Sequence, residues 1–308
     1  MTRLISVRSE VRVLPAPPFL LLNADKSGSI DKNPEEQQRL SPGFLMETIH
    51  NPKNSESFMI IIPRVQIAGA TSLKEAKDII ETMQSNWSHD NKHELALGLV
   101  YGPHEQLNEP PLTKDEIRQL SDESIQIILI TYCSSADEIL QVIAETGIQN
   151  IQLHGPIEPR EIIKARKSIP DNETLLLLKS IPISIDESYE TCFRSCLTKV
   201  KSYEDHIDGF ILDTKAVIGG ETRLGATGLT HNWNISKSLI SNCQKPFLLA
   251  GGLHDKNVAV AIEKTGAWGA DAHSGVEDHS QQNPALRLKD LQKVASFVKA
   301  IRKSIVKQ

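Results

Sequence analysis

Three runs decide the fold: Asp208-Gly-Phe-Ile-Leu-Asp213-Thr214, Lys245-Pro-Phe-Leu-Leu-Ala-Gly251-Gly252-Leu253 and Gly269-Ala-Asp271-Ala-His-Ser274-Gly275-Val-Glu277. Each is short and apolar, and each ends in small or acidic residues. Such a run reads as a buried parallel strand when Gly or Pro bounds it and a helix follows. Asn257 to Lys264 and Leu288 to Ile301 supply helices after the second and third runs. Successive strands ending in Asp, Gly-Gly and Ser-Gly place an acid and open backbone N–H groups on one rim. That rim suits a small phosphorylated substrate.

The same rhythm begins upstream at Phe58. Met59–Ile62 and Val65–Ile67 form an apolar run split at Pro63, followed by a helix capped at Thr71 or Ser72. Leu95–Tyr101, Ile125–Tyr132, Asn150–Leu153 and Leu175–Leu178 read as the second to fifth strands, the last ended by Lys179. Helices are expected from Thr113, from Ser134 or Ser135, from Pro159 and over Ser188–Tyr203. Phe210–Leu212 is the sixth strand, and a Gly-rich loop over Gly219–Gly228 leads to a helix from Trp233. Phe247–Leu249 and Ala270–Ala272 are the seventh and eighth strands.

Strict alternation of strand and helix implies a parallel sheet, and eight units are the number that closes a (β/α)8 barrel of the TIM class. An open doubly wound sheet is the alternative. It usually carries a Gly-rich first turn, and Gly69-Ala70-Thr71 has no such fingerprint. The expected domain is 58–308. Residues 1–57 read as a poorly ordered extension: Pro15, Pro17 and Pro18 interrupt an apolar run behind Arg3, Arg8 and Arg12, and a polar stretch follows. A start at Met46 or Met59 is the other reading.

With 308 residues and a formal net charge of −5 from interspersed charges, the chain lacks the basic patch of a nucleic-acid binder. No stretch is apolar enough to span a bilayer. The four cysteines show no C-x-x-C spacing, which fits a reduced, cytoplasmic chain without a zinc site. Among candidate site residues, Asp213 ends an apolar strand, where an acid is costly unless paired or in use. Asp271 lies inside a strand in the same way. For both, a carboxylate satisfied by a neighbour is the plainer alternative, as an ordinary loop histidine is for His154. Gly251-Gly252 and Ser274-Gly275 close successive strands, where barrels often hold phosphate.

Taken in order, Ile151-Gln-Leu-His-Gly155, Ile211-Leu-Asp-Thr-Lys215, Gly225-Ala-Thr-Gly-Leu-Thr-His-Asn-Trp233, Leu249-Ala-Gly-Gly-Leu253 and Asp271-Ala-His-Ser-Gly-Val-Glu277 resemble the phosphoribosylanthranilate isomerase family of tryptophan biosynthesis. The resemblance implies a single barrel without metal or cofactor, monomeric or homodimeric, acting on a small phosphorylated sugar-amine. It implies an Amadori rearrangement with Asp213 as general acid. Gly252 and Gly275 then hold the phosphate with Gly251 and Ser274, Asp271 contacts substrate, and Gly228 belongs to a covering loop.

The first two strands depart from that pattern. Where the family reads Lys-Ile-Cys-Gly, with the cysteine as base, this chain reads Gln66-Ile67-Ala68-Gly69. Where the family has Ser-Pro-Arg, this chain has Tyr101-Gly-Pro-His104-Glu105. Loss of a general base typically costs ~10²–10⁴-fold in rate. Cys133, His154 and His104 are the candidate substitutes. An isomerase with a different base and a phosphosugar-binding barrel without turnover are the two readings left.

Overall fold

The computed structural model describes residues 48–49, 58–87, 92–103, 111–121, 123–170, 174–225, 228–280 and 287–305. The chain divides into two units after Ser41, and all described residues lie in the second, Pro42–Gln308. The eight barrel strands are β1 (Val65–Ala68), β2 (Leu95–Val100), β3 (Gln126–Thr131), β4 (Asn150–Leu153), β5 (Leu176–Ser184), β6 (Gly209–Ile218), β7 (Phe247–Leu249) and β8 (Gly269–Ala272). Each is followed by a helix: α1 (Leu73–Asn86), α2 (Lys114–Arg118), α3 (Ala136–Thr146), α4 (Pro159–Ser168), α5 (Tyr189–Tyr203), α6 (Trp233–Ser241), α7 (Val258–Thr265) and α8 (Leu291–Ile305).

The barrel is closed. Ala270, Asp271 and Ala272 of β8 pair in parallel with Val65, Gln66 and Ile67 of β1. β7 bridges β6 and β8. Helix starts follow local capping chemistry. Ser72, Ser135 and Ser188 each accept the backbone N–H three residues on, and Pro159 opens α4. Thr113 and Glu116 form a reciprocal capping box for the short α2. Gly147 and Gly266, both left-handed, end α3 and α7.

Strand alternation divides the core in two. Outward residues such as Val65, Ile67, Leu97, Leu129, Ile151, Leu177, Phe210 and Ala270 pack under the helices. Inward residues near the strand starts, including Ala96, Ile128, Leu178, Ile211 and Leu248, form a separate apolar cluster with Ile60 and Ile62.

Five features differ from expectation. The first strand is only Val65–Ala68, because Ile60 and Ile62 turn beneath the barrel, where Trp268 Nε1 donates to the Ile62 carbonyl. β5 runs past Lys179 to Ser184, paired throughout with β6. β6 continues to Ile218 and folds back as an antiparallel arm, Glu221–Leu224, inside the stretch expected to be a loop. Its two-residue turn is Gly219-Gly220, at φ 64° and 87°, the mirror-image geometry that suits strand twist. Leu288 lies outside α8 and is 52% exposed. Thr48–Ile49, within the expected extension, pairs with Phe58–Met59.

Candidate active site

The alternation that sends Ile211 into the lower barrel sends Asp213 into its mouth. Its carboxylate accepts the Thr214 backbone N–H through Oδ1 at 2.7 Å. Its Oδ2 lies 3.6 Å from His154 Nε2, with both side chains mostly covered. The His154 ring packs against Tyr132 with centroids 5.1 Å apart. His154 Nδ1 is buried without a hydrogen-bond partner among the described residues.

The arm after β6 returns the chain over this carboxylate. Gly225 N–H bonds to the Thr214 carbonyl at 2.9 Å. Gly225 has φ 72°, and a Cβ there would overlap Asp213 Oδ2. Only glycine leaves the acid room at that approach. Behind Asp213, Thr214 Oγ1 meets His231 Nδ1 at 3.0 Å, and His231 Nε2 meets Ser236 Oγ at 2.7 Å. Burial drives the His231 pKa down to about 4, against the opposing pull of Asp213, so the ring is neutral at physiological pH. This buried chain ties the acid-bearing strand to α6.

The glycine turns beyond β7 and β8 are sterically committed. Gly251 and Gly252 have φ 79° and 62°. A Cβ on Gly251 would overlap Thr214, and one on Gly252 would press on the Leu229 and Thr230 backbone. Gly275 sits against the Leu253 carbonyl, within a one-turn 3-10 helix, Ser274–Val276. The β7 and β8 turns are therefore in contact and form one surface. Gly228, at φ 68°, has open space where a Cβ would stand.

Deeper in the barrel is a polar layer that the sequence reading did not single out beyond Asp271. Gln66 Nε2 donates to Gln152 Oε1 at 2.7 Å, and Gln152 Nε2 donates to Ser180 Oγ at 3.1 Å. Burial, reinforced by the negative charge of Asp213, pushes the Asp271 pKa up to about 8. Its Oδ1 has no hydrogen-bond partner among the described residues. Strand parity counted from Gln66 would have found this layer.

Parity also corrects one sequence expectation. Cys133 shares the outward face with Thr131, is fully buried in the sheet–helix core, and has its pKa raised by burial to about 11. A thiol so placed neither reaches the mouth nor ionises readily. Lys179 likewise faces outward. Its Nζ donates to the Leu153, Gly155 and Ser180 carbonyls, and burial lowers its pKa to about 7. Ala68 does face inward, with its Cβ near Gly98. His104 and Glu105 lie outside the described residues. Clefts of about 300 and 580 Å³ lie outside the barrel, one beside α5 and the arm, the other between α7 and α8. Neither includes Asp213 or the glycine turns.

Residues 113–300 match the family model described as N-(5'phosphoribosyl)anthranilate (PRA) isomerase. The match begins after β1 and β2, the strands that carry the departures at Ala68 and Tyr101–Glu105. N-(5'-phosphoribosyl)anthranilate isomerase 2 of Methanosarcina mazei is 33% identical over 174 residues, which cover 56% of this chain and 69% of that protein. The corresponding Methanocella arvoryzae protein is 30% identical over 195 residues, 62% of this chain and 81% of its own. Among solved structures, the N-(5'-phosphoribosyl)anthranilate isomerase from Pyrococcus furiosus superposes with a TM-score of 0.57 at 22% identity, covering 78% of this chain and 99% of that one. That likeness is one of fold.

Proposed function

The chain belongs to the N-(5'-phosphoribosyl)anthranilate isomerase family, and from that footing we propose that it isomerises a phosphoribosylamine by an Amadori rearrangement in tryptophan biosynthesis. The observation that carries this reading is the placement of Asp213. Its carboxylate stands inside the mouth beside His154 and beneath Gly225, and the next residue, Thr214, abuts Gly251 of the β7 turn.

The chemistry has three needs. A general acid must protonate the furanose oxygen so that the C1–O bond breaks and an iminium forms. Asp213 is that acid, and the contact with His154 orients it. A base must then take the C2 proton, so that the C–H electron pair forms an enolamine, which tautomerises to the ketone. Remote binding energy must hold the sugar meanwhile. The turns at Gly251-Gly252 and Ser274-Gly275 supply it by offering backbone N–H groups to the phosphate. Asp271, poised near neutrality below the mouth, contacts the sugar hydroxyls. Gly228 lies in the segment that covers bound substrate. This reading assigns the chemistry to 58–308.

A second reading, a phosphosugar-binding barrel without turnover, rests on Ala68: an inward methyl group at the first strand end moves no proton. Growth separates the two. The gene should restore growth without tryptophan to a bacterial strain lacking this isomerase, and the Asp213→Asn gene should not. Failure of the unaltered gene, with soluble protein present, would favour the binding reading.

A further inference from the structure

We propose that His273 is the general base that takes the C2 proton, oriented by Glu277 and standing in for a side chain at residue 68. The assignment rests on the isomerase reading above and names a residue for its unfilled role. Closing β8 onto β1 brings it there. Ala272 pairs with Ile67, so the next residue, His273, comes up beside Ala68. Its ring lies against Gly69, the residue that follows Ala68. A Cβ at position 69 would overlap His273 Nε2 and Cδ2. Gly69, at φ 86°, thus leaves the imidazole its place at the first strand end.

The ring has one anchored edge and one open edge. Nδ1 is buried and lies 3.0 Å from Glu277 Oε1, a close contact whose alignment falls short of a hydrogen bond. With Nδ1 buried, the 38% exposure of the side chain falls on the rest of the ring, of which Nε2 and Cδ2 lie beside Gly69. Glu277 is itself held. Lys289 Nζ, nearly inaccessible to solvent, reaches Glu277 Oε1 and the His273 carbonyl, each at 3.2 Å. The Lys289 backbone N–H donates to Glu75 Oε1 at 2.6 Å, and Glu75 Oε2 accepts the Thr71 N–H at 2.7 Å, which ties the group to the first turn of α1. Burial works against the Glu277 charge, but His273 and Lys289 outweigh it and lower the Glu277 pKa to about 2. A fixed carboxylate at Nδ1 keeps the ring proton on that nitrogen and leaves the Nε2 lone pair free to accept one.

The other candidates are placed differently. His154 is committed to the acid's side of the mouth, at 3.6 Å from Asp213. Cys133 faces away from the mouth. In the step assigned to His273, Nε2 takes the proton from C2 of the ring-opened iminium. The C2–H electron pair becomes the C1=C2 bond, and the iminium π pair returns to nitrogen, giving a neutral enolamine. The resulting imidazolium then gives its proton to C1 as the C2 hydroxyl releases one to water, from which the Asp213 carboxylate regains its own, leaving the aminoketone.

The test is turnover of phosphoribosylanthranilate by purified full-length protein, comparing wild type, His273→Ala and His273→Asn. His273→Asn keeps a donor for Glu277 but has no basic nitrogen, so it separates catalysis from structure. Both variants should lose kcat by ~10²–10⁴-fold, with affinity for a reduced, unreactive product analogue retained. Added imidazole, or Ala68→Cys in the His273→Ala background, should restore part of the rate. An active wild type matched in kcat by both variants overturns the assignment alone. A wild type without turnover overturns the isomerase reading and this assignment together.

Discussion

The lower and upper halves of the barrel interior share the same eight strands and have opposite chemistry. Below, Ile60, Ile62, Ile128, Leu178, Ile211 and Leu248 close an apolar plug. Above, within two residues along the strands, Gln66, Gln152, Ser180, Asp271 and Asp213 replace them. Apolar burial stabilises at ~25 cal/mol per Å², whereas buried carboxyl groups cost free energy unless paired or used. One half therefore maintains the barrel, and the other accepts instability in order to present charge at the mouth.

Three perturbations probe that division, in descending order of expected effect. The first is pH. The folded-state pKa of Asp271 is raised from 3.8 to about 8, so the folded protein keeps a proton that the unfolded chain has lost. Its contribution to stability is fully present below pH 3.8 and is lost as the pH rises through about 8. The slope approaches about 1.4 kcal/mol per pH unit, several kcal/mol across the window. Asp271→Asn should remove that slope in denaturant melts recorded across the range. Parallel melts of the two proteins would show that the upper layer carries no such cost.

The second is Ile211→Ala, in the plug. Deleting a fully buried isoleucine should cost about 2–5 kcal/mol by denaturant unfolding, with KM unchanged. A shift in KM comparable to the stability loss would mean the halves are not separable. The third is Gly275→Ala. The new methyl group would meet the Leu253 carbonyl, so stability should fall by about 1–3 kcal/mol. The thermal stabilisation given by inorganic phosphate should also vanish. Its persistence would move the anion site off the β7 and β8 turns.

Much of this architecture is legible in the chain. Asn150–Leu153 and Phe247–Leu249 are bounded by signals strong enough to fix both ends, and Ser72, Ser135, Ser188 and Pro159 mark helix starts by their own chemistry. The β6 hairpin was hidden because Gly219-Gly220 reads equally as a loop or as a mirror-image turn. The antiparallel pairing of Lys215–Ile218 with Glu221–Leu224 decides for the turn. β5 was cut short at Lys179 because a lysine reads as a strand end. Three carbonyl acceptors allow this one to stay buried in mid-strand.

The site is less legible than the fold, for a physical reason. Asp213 announces itself as an acid after an apolar run. Cys133 and His154 both follow strands, and only the inward or outward sense separates them. His273 is near Gly69 only after β8 closes on β1, a contact between residues far apart in sequence.

Asp213 as the acid of a working isomerase is the proposal most directly open to test. The direct measurement is turnover of phosphoribosylanthranilate by purified wild type beside Asp213→Asn, whose amide has no proton to give the ring oxygen. Measurable wild-type turnover that falls by ~10²–10⁴-fold in the variant, with phosphate binding retained, is the predicted result. Wild-type turnover that survives Asp213→Asn would contradict it.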